Sequence, residues 1–215
     1  LVALVQGAPR VQAGPWASSA PKIRKSPQSN PRNVGRGATS PKFVDLAGGM
    51  RGVLKSSFDH AKKLTGGHEV AAYALSMATG FDLVPPTTKL EGNNTLQLFV
   101  DGVDGGRTAS AEEYQLLLVF DYLINNGDRH PGNFLVTKAD NRLVAIDHSH
   151  NTFPAAGKGA PPPKFGTYNT RTGITVNRTL SPKNATLIKN INPRRVARSL
   201  RASGLSTDQI RSVLL

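Results

Sequence analysis

The feature that most constrains this chain is a capped, almost wholly apolar helix that runs into a polar loop. Ser110-Ala111-Glu112-Glu113 has the pattern of a capping box, and Tyr114 through Ile124 is apolar nearly all round. A helix with no polar face has to be buried, so this stretch predicts a core. Its longest apolar run, Leu116-Leu117-Leu118-Val119-Phe120, is far too short to span a bilayer. Asn125-Asn126-Gly127 ends the helix, and Gly127-Asp128-Arg129-His130-Pro131-Gly132-Asn133 follows as the densest polar cluster in the chain. Phe134-Leu135-Val136-Thr137 and Arg142-Leu143-Val144-Ala145-Ile146 then read as a hairpin turning at Asp140-Asn141, with Asp147 at its end.

This order collects oxygen ligands. Asp128 and Asn133 lie five residues apart on one loop, and Asp147 ends a strand that folds back beside them. Asn and Asp oxygens suit a hard cation such as magnesium, which keeps several waters and bridges phosphates. Asp128 can take a proton from an incoming hydroxyl. Upstream, Phe43-Val44-Asp45-Leu46 and Gly52-Val53-Leu54-Lys55 look like strands joined by a Gly48-Gly49 turn. Lys55 thus closes a strand, and Glu69 follows fourteen residues later near the start of a helix from about His68 to Thr79. A strand lysine held by a helix glutamate can be aimed at phosphate oxygens. Ahead of them, Gly35-Arg36-Gly37-Ala38-Thr39-Ser40 could close over phosphates through backbone N–H groups. Thr95 to Val100 reads as a further strand. No Walker-type glycine loop occurs, which argues against a P-loop nucleotidase. His130, His148 and His150 have no cysteine or separate acidic set to make a zinc site with them.

At 215 residues the chain has room for one domain, or one domain with a tail. Residues 1–34, rich in Pro, Ser, Ala, Asn and Arg, read as a basic linker, with ordered structure expected from about Gly35. From His150 to about Ser181 the chain is rich in Gly, Pro and Thr; a helix is expected to open at Asn192-Pro193 and another at Ser206. The net charge of +13 is uneven: +7 over residues 1–44, −4 over 45–157 and +10 over 158–215. Basic flanks favour an acidic partner such as an anionic membrane or nucleic acid, or else simply keep solvated tails soluble. There is no cysteine, so disulfides and thiolate sites are excluded. Leu1 is not an initiator methionine, so the chain is expected to be a fragment or a processed product. The opening Leu-Val-Ala-Leu-Val is too brief for a secretory leader, and a cytoplasmic location is expected, with export as part of a larger polypeptide left open.

Taken in order, these pieces resemble the kinase superfamily, and most closely its phosphatidylinositol 3- and 4-kinase-like branch. Gly-Asp-Arg-His-x-x-Asn at 127–133 is similar to that branch's catalytic loop, Ile146-Asp147-His148 to its metal-binding segment, and Lys55 to its ATP lysine. Gly-His-Glu-Val-Ala-Ala-Tyr around Glu69, followed by Gly80-Phe81-Asp82-Leu83-Val84-Pro85-Pro86-Thr87, is similar to bacterial and phage members. The resemblance implies a small bilobal α+β kinase-like fold over 35–215, with a sheet lobe at about 35–100 and a mainly helical lobe at 101–215. ATP would lie between the lobes, covered by Gly35, Gly37 and Ser40, with its adenine on the connecting segment Gln97, Leu98, Phe99 and Val100. Lys55, held by Glu69, would contact phosphate oxygens. Asn133 and Asp147 would hold Mg2+, Asp128 would be the base, and His130 would orient the loop or serve as the base for a lipid. The acceptor would be a hydroxyl on a lipid or a protein. Ser149, where glycine is common in the family, keeps open a second class: a catalytically weak, kinase-shaped binding module whose basic flanks engage an acidic partner.

Overall fold

The computed structural model describes residues 23, 29–33, 41–56, 66–92, 94–104, 109–149, 153 and 179–214. Its elements are β1 (Ser29–Asn33), β2 (Lys42–Asp45), β3 (Arg51–Lys55), α1 (Gly66–Thr79), β4 (Thr87–Lys89), β5 (Thr95–Leu98), β6 (Gly102–Asp104), α2 (Ala111–Ile124), β7 (Phe134–Thr137), β8 (Leu143–Ala145), α3 (Pro182–Lys189), α4 (Pro193–Ala202) and α5 (Thr207–Leu214). Five strands pair antiparallel in the order β1-β2-β3-β5-β4, and β6-β7-β8 form a second sheet.

The first sheet is held by a small apolar cluster of Ile23, Val44, Leu46 and Leu96, with Met50, Leu54, Leu90 and Leu98 against it. Gly52 lets β3 close onto this cluster. A Cβ there would stand 2.6 Å from Leu96 Cδ1 and 3.2 Å from Leu46 Cδ1. The register sets Lys55 opposite Thr95 and Val53 opposite Gln97, so the lysine ends β3 beside the start of β5.

The larger core joins Ala71, Ala72, Leu75 and Ala78 of α1 to Tyr114, Leu117, Phe120 and Ile124 of α2. Phe134, Leu143 and Ala145 of the hairpin complete it, with Val196 and Leu200 of α4 and Ile210 and Val213 of α5. Tyr114, Leu117, Phe120 and Ile124 of α2 are buried as expected, whereas Tyr122, within the stretch read as apolar nearly all round, is exposed. The capping box of α2 is formed in both directions, and Glu113 Oε1 also accepts from the Leu143 N–H at 2.9 Å, which fastens the helix start to the hairpin. The α1 helix belongs to this core. It packs on α4, where Arg195 Nη2 donates to the Met77 carbonyl at 3.0 Å.

Three expectations are corrected. Within the stretch read as a linker, residues 29–33 form β1, paired with β2, and Ile23 is buried. Backbone pairing needs no apolar alternation, and Pro31 is tolerated because β1 is an edge strand. Arg32 pairs with Asp45 across the two strands at 2.6 Å. The turn-rich 101–106 stretch contains β6, and α3 precedes the helix expected at Asn192-Pro193.

The loop from α1 to β4 carries a buried acid. Asp82 has φ 55°, its backbone carbonyl accepts from Arg142 Nη1 at 3.0 Å, and its carboxylate stands 3.8 Å from the same nitrogen. Burial, only partly offset by Arg142, pushes the Asp82 carboxyl up to about 6. The folded chain then binds this proton more tightly than the unfolded chain does. Stability contributed at low pH should be lost as pH rises from about 4 to about 6, by about 1–3 kcal/mol. Asp82→Asn keeps a residue that tolerates a left-handed conformation. Thermal melts should show the variant increasingly more stable than wild type between those pH values, with a constant difference above them. Parallel profiles for the two proteins would refute this assignment.

Candidate active site

The polar loop is organised by a buried arginine. Arg129 and Asp121 have fully buried side chains, and Arg129 grips the carboxylate with Nε to Oδ2 at 3.0 Å and Nη2 to Oδ1 at 2.9 Å. A two-pronged, charge-assisted pair of this kind fixes orientation as well as distance. The remaining prong, Nη1, donates to the Asn133 carbonyl and to the Ile146 carbonyl, the latter at 2.8 Å. The Ile146 N–H also donates to the Asn133 carbonyl at 3.1 Å. One guanidinium thus binds α2, the loop and the strand end preceding Asp147. Asn126 adds to this, donating through Nδ2 to Asp121 Oδ1 at 3.0 Å and accepting from the Asp128 N–H at 3.1 Å.

On this frame the loop presents its polar groups. Asp128 is half-buried and His130 is exposed. Asn133 Nδ2 donates to the Asp128 carbonyl at 2.8 Å, which leaves the carboxamide oxygen as the atom able to meet a cation. His130 Nδ1 accepts from the Gly132 N–H at 3.1 Å, so in the neutral ring the proton sits on Nε2. A Cβ at Gly132 would lie 3.1 Å from His130 Cε1, so a side chain there would push the ring by a few tenths of an ångström. With Nδ1 engaged, Nε2 is the ring nitrogen left to meet a substrate.

Lys55 and Glu69 meet as the spacing implied. The ammonium Nζ stands 2.6 Å from Glu69 Oε1 and 3.9 Å from Asp147 Oδ1. Burial opposes the charge on Lys55, but Glu69 and then Asp147 outweigh it and raise the lysine above its usual range. Burial likewise opposes ionisation of Glu69; the Lys55 charge, with His148, outweighs it and holds the carboxyl well below the usual range. Asp147 has φ 55°, a left-handed conformation that Asp tolerates better than most residues. Its side chain is 44% exposed, and Ser149 Oγ donates to its Oδ1 at 3.0 Å. His148 is fully buried, with Nδ1 3.6 Å from Glu69 Oε2. Burial pushes its ring down, Glu69 opposes this in part, and the Arg129 charge adds to the lowering.

Lys55, Glu69, Asp147, Asn133 and Asp128 therefore form one connected centre. Gly35, Gly37 and Ser40 lie outside the described residues. Gln97 is buried inside the ladder, its Nε2 donating to Thr87 Oγ1 at 3.0 Å. The Leu98 N–H goes to the Pro86 carbonyl at 2.8 Å and the Phe99 N–H to the Arg51 carbonyl at 2.9 Å. The Phe99 ring packs edge-on to Phe43, and the Arg51 guanidinium lies 4.8 Å from the Phe99 centroid and 5.6 Å from that of Phe43. Of the connecting segment, Val100 is the first residue beyond these sheet contacts.

Among the described residues no three His, Asp or Glu side chains converge to hold a metal. The oxygens that could meet a cation are one carboxylate, Asp147, and one carboxamide, Asn133. That fits magnesium, which takes one or two protein oxygens and fills its other positions with water and phosphate. Among the described residues no helix is long and apolar enough to cross a membrane.

Comparison with known proteins agrees with this geometry. The family described as phosphatidylinositol 3- and 4-kinase matches residues 93–166. The chain is 34% identical over 108 residues to phosphatidylinositol 4-kinase gamma 4 of Oryza sativa subsp. japonica, a match covering 38% of this chain and 19% of that protein. The match thus spans about a fifth of the length of that curated relative. Among solved structures, the Golgi casein kinase with Mn/ADP bound is similar over 90% of this chain and 71% of its own, with a TM-score of 0.56 and 13% identity. The Helicobacter pylori proinflammatory kinase CtkA is similar over 88% of this chain and 89% of its own, with a TM-score of 0.52 and 13% identity. The chain thus carries, over residues 93–166, a match to the phosphatidylinositol 3- and 4-kinase family, on an α+β fold similar to that of solved kinases.

Proposed function

We propose that the chain is an ATP- and Mg2+-dependent phosphotransferase that moves the γ-phosphoryl group of ATP to a hydroxyl on a lipid or a protein. The observation that supports this best is the Lys55 ammonium held between Glu69 at 2.6 Å and Asp147 at 3.9 Å. Lys55 would bind phosphate oxygens, with Glu69 fixing its direction. Asn133 and Asp147 would hold the magnesium, which supplies positive charge to bridging phosphate oxygens. Asp128 would take the acceptor proton as the acceptor oxygen bonds to the γ-phosphorus and the bond to the ADP oxygen breaks. His130, donating through Nε2, would orient the transferred group. Val100 is the residue assigned to adenine, because the Leu98 and Phe99 amides serve the sheet. An ATP-dependent reaction also fits the cytoplasm, the location this reading adopts.

The lipid and protein acceptors share one chemistry and separate by assay. Purified chain is incubated with Mg2+ and γ-labelled ATP alone, with phosphatidylinositol vesicles, or with a protein lysate, each beside Asp147→Asn. Label that moves to lipid or protein in the wild type and not in the variant is the expected result. No transfer in any arm, with ATP bound, would favour a binding module instead. The Ser149 hydroxyl on Asp147 Oδ1 is the observation behind that second reading, since it occupies an oxygen a metal would use. The partner in either case would be an anionic surface met by the basic flank, where Arg194, Arg198 and Arg201 stand exposed along α4.

A further inference from the structure

His148 has no part in the transfer just described, yet it is one of the most completely enclosed side chains of the centre. Its ring stands at right angles to Phe120 of α2, with centroids 5.8 Å apart. On its other side Nδ1 faces Glu69 Oε2 at 3.6 Å. Among the described residues neither ring nitrogen has a hydrogen-bond partner, and neither does Glu69 Oε2, although all three are buried. Leaving a buried donor or acceptor unmet is costly, and here an unmet donor and an unmet acceptor face each other a few tenths of an ångström beyond bonding distance.

We infer that His148 is a positioning residue: a hydrogen bond from its Nδ1–H to Glu69 Oε2 locks the Lys55–Glu69 pair to the segment bearing Asp147. The inference rests on the phosphotransferase reading for its effect on turnover. Glu69 has two oxygens, and Lys55 takes only Oε1. The second oxygen is what His148 secures, so that the carboxylate cannot rotate away from the lysine. Lys55 has an alternative partner in Asp147 at 3.9 Å, and a loosened Glu69 would yield the lysine to it. Asp147 would then be drawn from the metal position. Because His148 and Asp147 share a peptide bond, a single contact sets both ends of the phosphate site. Phe120 supplies the wall that aims the ring.

The test compares His148→Phe, which keeps the ring against Phe120 but cannot donate, with His148→Asn, whose amide N–H2 falls near the Nδ1 position. Each is measured for melting temperature, for ATP turnover and for acylation of Lys55 by acetic anhydride, followed by mass spectrometry. His148→Phe should lower turnover about tenfold and raise Lys55 acylation about threefold, and His148→Asn should bring both back to within about threefold of wild type. Wild-type turnover and acylation in His148→Phe would overturn the inference. So would a folded His148→Asn no better than His148→Phe. If His148→Phe fails to fold, His148→Gln replaces it, since its longer side chain carries the amide past the Nδ1 position. Acylation of Lys55 is read without ATP, so it tests the His148 contact even if the wild-type chain transfers no phosphate.

Discussion

Asp147→Asn will reduce phosphate transfer by about 100- to 1000-fold while leaving the fold intact, as expected when one group stabilising transition-state charge is lost. Asparagine is the better replacement because Asp147 sits at φ 55°. Alanine there would add about 1–2 kcal/mol of backbone strain and confuse a folding effect with a chemical one. The side chain is 44% exposed, so little packing is at stake. Losing its charge also removes the second partner of Lys55, which leaves the lysine wholly to Glu69. Binding of ATP in the absence of metal should therefore be nearly unchanged. Measurement of transfer with labelled ATP, beside a thermal melt, checks both parts. Transfer at the wild-type rate would refute the assignment of Asp147 to the metal.

The largest effect on stability is expected at Arg129. Arg129→Leu leaves the Asp121 carboxylate fully buried with its two guanidinium bonds gone, and breaking a buried pair from one side costs about 3–5 kcal/mol. It also removes the guanidinium bonds to the Asn133 and Ile146 carbonyls, leaving the Ile146 N–H bond to the Asn133 carbonyl to tie the loop to the Asp147 strand end. The melting temperature should fall by roughly 10 °C for a chain of this size. Combining Arg129→Leu with Asp121→Asn removes the stranded charge and should recover part of that loss. A single substitution that melts with the wild type would show that the pair does not hold the loop.

Much of the centre was legible because it rests on local rules. The capping box at Ser110, the turn at Asp140-Asn141 and the strand ending in Lys55 follow from spacing alone, and Glu69 meets Lys55 fourteen residues on. Asp121 could also have been read: a lone carboxylate in a helix apolar nearly all round must find a buried cation, and Arg129 lies eight residues later. The α3 helix carries the same signal as α4. Ser181-Pro182 is an N-cap with proline at the first helical position, as Asn192-Pro193 is, but the Gly- and Pro-rich stretch before it masked the start. Strand β1 was beyond local reading. Its five residues have no apolar alternation and acquire their conformation only from the edge of β2. Likewise the placement of α1 in the larger core depends on Val196 and Leu200, more than a hundred residues away in the chain.

That placement of α1 gives the two partners of the Lys55–Glu69 pair unequal anchorage. Among the described residues, Lys55 rides on a sheet whose own cluster has four buried residues at its centre, whereas Glu69 lies on α1, which is anchored in the large helical core and braced by Arg195 on Met77. The sheet is the lighter jaw and α1 the fixed one. Any tilt of the sheet relative to α1 would have to stretch the 2.6 Å contact between them, so one buried ion pair resists it. Loss of either charge should loosen that contact, whereas salt should change it little because the pair is buried. Phosphate bound at Lys55 should tighten it, giving the sheet a nucleotide-dependent protection against amide hydrogen exchange that α1 does not share.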